Sequence, residues 1–158
     1  MLMCSTVFFN SYVTLFGTTA MEGEKMMAGM VFGLAESSSA MISGVVCKYI
    51  SDFQAFNIFI LIALIAQLVY YWLCEGITGS IASLVAIYCI MLGTGSCINI
   101  IYLMIELRVT ADKLGSSIVI VITSAMIVSS LASYVSFSPM PLPFIAAVSL
   151  SIVAFFSN

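Results

Sequence analysis

The chain has 158 residues, 63% of them hydrophobic and 7% charged, with four basic side chains against seven acidic ones and no histidine. A soluble domain usually carries about a quarter of its residues charged, and one of this size cannot enclose so much apolar side chain in a single core. The excess must face lipid, and the net charge of −3 argues against a nucleic-acid partner or a basic membrane-surface role.

A helix needs roughly 20 apolar residues to cross a hydrocarbon core about 30 Å thick. About six such crossings use nearly the whole chain, as one domain over residues 1–158. A membrane β-barrel would need segments of alternating polarity, and the run from Ile58 to Ala66 does not alternate. The expected fold class is therefore an all-α integral membrane protein, a bundle of about six transmembrane helices.

The first span is expected over residues 1–20. No charged segment with a short apolar core and a cleavage site is present, so this helix is expected to be its own insertion signal. Thr6, Asn10, Thr14 and Gly17 fall on one of its faces. The segment from Met21 to Lys25 is the first charged loop.

The second span is expected over residues 26–49 and holds a single acid, Glu36. A carboxylate within a span is costly and faces a cavity or a partner. At about 100° per residue, Gly29, Gly33, Glu36, Ala40, Ser43 and Cys47 form one stripe of small or polar side chains. Gly29 and Gly33 are four apart, the spacing that lets membrane helices approach closely, and are expected to serve helix packing.

Ser51-Asp52-Phe53-Gln54 links to a third span over residues 54–73, and the segment from Glu75 to Gly79 makes the next turn, with glycine supplying backbone freedom. The fourth span, residues 80–107, has Gly93 and Gly95 as candidate bending points. Its Gly95, Asn99, Tyr102 and Glu106 share a stripe. The most charged stretch, from Glu106 to Lys113, contains Arg108 and Thr110 as well. The fifth span covers residues 114–137, with Ser116, Thr123, Ser130 and Tyr134 on one side. Pro139, Pro141 and Pro143 break it, since proline removes a donor and blocks helical continuation. The last span, residues 140–157, is barely long enough to cross.

Lys and Arg concentrate on the cytoplasmic side of membrane proteins. With six spans, Lys48, Arg108 and Lys113 share one side with both termini, and Lys25 lies on the other. That common side would be the matrix side in an inner mitochondrial membrane.

The cysteines are odd in number, at Cys4, Cys47, Cys74, Cys89 and Cys97, and have no metal-ligand spacing, so they are expected as packing residues. No nucleophile elbow, phosphate loop or paired-carboxylate centre is present. Neither an enzyme nor a bound cofactor or metal is expected.

The stretch from Ile101 to Gly115 resembles the loop after the tenth helix of organic cation/anion transporters of the major facilitator superfamily. Tyr102, Glu106, Leu107 and Thr110 match that pattern, and Lys113 replaces its arginine. Gly33-Leu34-Ala35-Glu36 resembles the eighth helix of the same family, which carries a glutamate near that point. The resemblance covers the chain as the C-terminal six-helix half of a twelve-helix transporter, a half-major-facilitator bundle. Val109 stands where the family has proline, Ser38 replaces a proline after the glutamate, and the basic gate between the second and third spans reads Ser51-Asp52-Phe53-Gln54 instead.

Two functions follow as expectations. One is a solute-carrier half, for organic ions, that needs a second half or a homodimer; Glu36, Asn10, Asn99 and Tyr102 would line its substrate or proton path, and Glu106, Arg108, Thr110 and Lys113 would form its loop motif. The other is a transport-inactive accessory subunit of a large assembly such as a respiratory complex. The partners are the lipid bilayer and other membrane subunits or a second copy, and the membrane is the inner mitochondrial or the plasma membrane.

Overall fold

The computed structural model describes residues 2–19, 25–74, 81–136 and 142–156. Among these residues the chain forms six α-helices: α1 Leu2–Thr19, α2 Lys25–Val46, α3 Asp52–Cys74, α4 Ile81–Arg108, α5 Ala111–Ser136 and α6 Leu142–Phe156. Of the expected charged loop from Met21 to Lys25, residues 21–24 lie outside the described residues and Lys25 begins α2; the turn from Glu75 to Gly79 lies outside them too, as do Pro139 and Pro141.

Local chemistry sets the helix ends. Ser51 precedes α3 and its carbonyl accepts the Ala55 N–H at 2.9 Å, the role of an N-cap residue. Asp52 in the first turn of α3 and Asp112 in that of α5 complement the positive end of the helix dipole, and Arg108 in the last turn of α4 complements the negative end. Thr110 takes the position before α5, and α5 begins three residues ahead of the expected span.

At the other boundary α2 stops at Val46, short of residue 49. The chain tightens through Lys48 N–H to the Val45 carbonyl at 3.1 Å and Tyr49 N–H to the Val46 carbonyl at 3.0 Å, bonds of 3₁₀ spacing that close a helix end.

Four helical segments are long and apolar enough to cross a membrane: Met26–Val46, Asp52–Trp72, Ile81–Arg108 and Ala111–Ala132. Six expected spans thus become six helices, of which four meet the criterion among the described residues. The 15 residues of α6 reach only about 22 Å at 1.5 Å per residue, less than the hydrocarbon thickness. On α3, Ile58, Leu61, Ile65 and Leu68 are exposed, as are Met30, Leu34, Met41 and Val45 on α2. Apolar surface this extensive meets lipid rather than water.

The long helix α4 is the centre of the bundle, packed against α3 and α2 and also against α1. On the other side α1 packs against α5 and α6, and α3 meets α6. One cluster, with Cys4, Ala55, Phe56, Cys97, Ile100 and Ile101 and with Phe155 against it, joins α1, α3, α4 and α6 at one end. That end gathers both ends of the described chain with the α2–α3 and α4–α5 connections, so Lys48, Arg108 and Lys113 share it. Two separate clusters continue from there, Ala35, Tyr70, Ile87 and Ile90 between α2, α3 and α4, and Phe9, Val13, Ala132 and Ala147 between α1, α5 and α6.

Helix α4 runs unbroken through Gly93 and Gly95. They are contact points. A Cβ at Gly93 would lie 2.7 Å from the Phe59 carbonyl oxygen and 2.9 Å from Ala63 Cβ, and one at Gly95 would lie 2.6 Å from Ser39 Oγ. Among the described residues nothing lies within 4 Å of a Cβ built at Gly29 or Gly33, the pair expected to serve helix packing. Helix α2 turns Ala28, Ala35 and Ser39 inward together with Ser43 of the expected stripe, while Gly29, Gly33, Glu36 and Ala40 of that stripe are exposed.

Candidate functional site

Glu36 lies near the middle of α2 and lines an open cavity of about 220 Å³ between α1, α2 and α4. The other walls are Phe8, Ser11 and Tyr12 from α1, Phe32 one turn before Glu36, and Met91, Gly95 and Ile98 from α4. Three aromatic rings, a thioether and one carboxylate converge there. Such a lining attracts a cation, because ring faces carry negative electrostatic potential and the carboxylate supplies a full charge.

The cavity wall is held by contacts between α2 and α4. Between them Ser96 Oγ donates to the Ser39 carbonyl at 3.4 Å and the Ser38 and Tyr88 hydroxyls pair at 2.9 Å, while within α2 Ser39 Oγ donates to the Glu36 carbonyl at 2.7 Å. Serine hydroxyls that return to backbone carbonyls cost little in an apolar setting, and they let the two helices approach closely.

The residues singled out from the sequence separate in space. Asn99 and Tyr102 follow Gly95 and Ile98 by one turn on the same side of α4 and are partly buried, so they continue that wall toward the basic end without lining the cavity itself. Asn10, expected to line the path, is fully buried and turned to α6, where its Nδ2 donates to Ser151 Oγ at 2.6 Å. Its neighbours Ser11 and Tyr12 reach the cavity in its place. Thr6 is buried too and Thr14 half-buried, so these polar residues of α1 face the interior of the bundle.

The loop motif lies at the far end. Glu106, Arg108, Thr110 and Lys113 are exposed, and the Arg108 guanidinium sits over the Phe53 ring, 4.8 Å from its centroid. That contact joins the first turn of α3 to the last turn of α4.

Sequence reasoning missed Gln67. It is 2% exposed and neither its Nε2 nor its Oε1 has a hydrogen-bond partner. The signal was available: a lone amide inside the apolar run of α3. Asn10 Oδ1 is also without a partner.

These elements define a class, a helical integral membrane protein with a carboxylate-bearing cavity in its spans. No family model matches the chain, and neither a curated protein nor a solved structure does.

Proposed function

We propose that the chain is one half of a solute carrier and that the cavity at Glu36 receives the cationic group of an organic ion. The observation that carries this reading is the convergence of Glu36 with Phe8, Tyr12 and Phe32 on one open cavity at mid-span. A lone carboxylate there is costly unless it serves a ligand or proton.

The packing pattern supports the half-transporter part of the reading. Exchanging α1, α2, α3 with α4, α5, α6 reproduces the main helix pairings: α2 on α4 becomes α5 on α1, α3 on α4 becomes α6 on α1, and α1 with α4 and α3 with α6 exchange into themselves, while the α5–α6 contact has no comparable α2–α3 counterpart among the described residues. Units of three helices run in opposite directions, the inverted repeat from which many transporters are built. In this reading the basic end is cytoplasmic, and a second half or second copy supplies the opposite wall of the cavity.

The deciding experiment is uptake of a small tetraalkylammonium or aryl-alkylammonium ion by purified protein in liposomes. The expected result is saturable uptake that Glu36→Gln reduces at least tenfold while leaving protein yield and helicity unchanged. Absence of uptake, alone and with every co-expressed half, rejects the proposal.

A second reading, an accessory subunit of a larger membrane assembly, is favoured by one observation. Gly29, Gly33 and Gly44 open onto empty space on α2, although small residues at this spacing are the usual means by which membrane helices join. Co-purification at fixed stoichiometry with a large complex tests it.

A further inference from the structure

The amide of Gln67 has the least favourable setting of any described side chain. Inside an apolar bundle each unpaired donor or acceptor costs free energy that water cannot return, and Gln67 leaves both unpaired. Native structures retain few such groups, and each calls for an explanation.

The surroundings of the same helical turn supply one. Leu68 and Tyr71 of α3, with Ile145, Val148 and Ser149 of α6, line an open groove of about 210 Å³. Gln67 precedes Leu68 in sequence and Tyr71 by one turn. On the helical wheel it lies about 40° from Tyr71 and about 100° from Leu68.

Depth matches as well. Gln67 lies seven residues before the end of α3 and Ser149 seven residues after the start of α6, so both sit about 10 Å from the same end of the bundle. The Ser149 hydroxyl hydrogen is given to the Ile145 carbonyl, which leaves the oxygen lone pairs able to accept.

We propose that α3 has a second rotational setting, in which the Gln67 amide turns into the α3–α6 groove and its Nε2 donates to Ser149 Oγ. The turn required is about 40° or slightly more, since glutamine is long. The groove provides the room, and leaving the orphaned position provides the drive. The contact with α4 at Gly93 opposes it, because Phe59 and Ala63 are pressed against α4 there. Helix α3 is thus a two-position element, whatever solute or partner the protein serves.

The protein carries its own reporter. Its single tryptophan, Trp72, lies on α3 five residues beyond Gln67 and is 74% exposed. The test is ¹⁹F NMR of the full chain labelled with 5-fluorotryptophan in lipid nanodiscs. Two exchanging resonances are expected in the parent protein. Gln67→Leu, close in volume and without an amide, should collapse them to one and raise Tm by roughly 3–8 °C. Ser149→Ala should diminish the second resonance without removing the protein's helicity.

Three results overturn the proposal: a single resonance in the parent, two resonances that persist in Gln67→Leu, or a Gln67→Leu protein less stable than the parent.

Discussion

Gly93 of α4 is pressed so closely on α3 that a Cβ added there would stand 2.7 Å from the Phe59 carbonyl oxygen. The opposing atom is backbone, held by the helix it belongs to, so it cannot swing aside as a side-chain tip would. Gly93→Ala must then push α3 and α4 apart, at a cost of about 1–3 kcal/mol, typical of an overpacked core. A lower Tm in detergent is the expected result. Gly44→Ala is the control, since nothing lies within 4 Å of its Cβ and alanine is the better helix former by about 1 kcal/mol. Equal stability of Gly93→Ala and the parent would refute the contact.

The Arg108–Phe53 pair predicts a smaller and more local effect. Its cation–π geometry, 4.8 Å to the ring centroid, is worth about 0.5–1 kcal/mol at an exposed site. Phe53→Leu should remove that and speed amide hydrogen exchange in the first turn of α3. Phe53→Trp should preserve protection, because the indole face attracts a guanidinium at least as well. Equal exchange in all three proteins would show that the contact contributes nothing.

The membrane class and the succession of helices were legible from composition and spacing, because apolar runs of this length allow little else. Glu36 was legible for a related reason: one carboxylate in a span stands out. Orientation about each helix axis was harder to read. The stripe from Gly29 through Glu36 appeared to be a packing face, yet α2 packs through Ala28, Ala35 and Ser39, about a quarter to a third of a turn away. Alanine, serine and glycine are all small, so several faces of α2 qualify, and tertiary fit to α4 selects among them. Asn10 carries the same ambiguity, since a polar residue in a span satisfies its amide equally well at a pathway or against a neighbouring helix, and here it meets Ser151 of α6.

The bare glycines of α2 separate the two functional readings. Gly33→Leu adds bulk where nothing opposes it, so the isolated chain should keep its Tm within about 2 °C, as surface changes generally do. If the face seats on another membrane protein, the same substitution should abolish co-purification from native membranes. Retained co-purification, with Tm unchanged, would exclude that face as the contact.

Cys47 and Asp52 give a pH-dependent test of the basic end. Cys47 lies in the turn after α2, where burial pushes its thiol up and the Asp52 carboxylate adds to the shift. Both causes disfavour the thiolate, the reactive form, so alkylation near neutral pH should be slower than for a free thiol and should rise only at a higher pH. Replacing Asp52 with asparagine removes the smaller of the two causes. The Asp52→Asn rate profile should therefore move to lower pH but stay above that of an unfolded peptide, where burial is lost as well. Peptide mass spectrometry with isotopically coded iodoacetamide resolves Cys47 from the four other cysteines, so no further substitution is needed. A profile indifferent to Asp52→Asn would mean that the turn does not hold the thiol near the carboxylate. A shift in the opposite direction would mean that the asparagine has reorganised the start of α3, where Asp52 also complements the helix dipole.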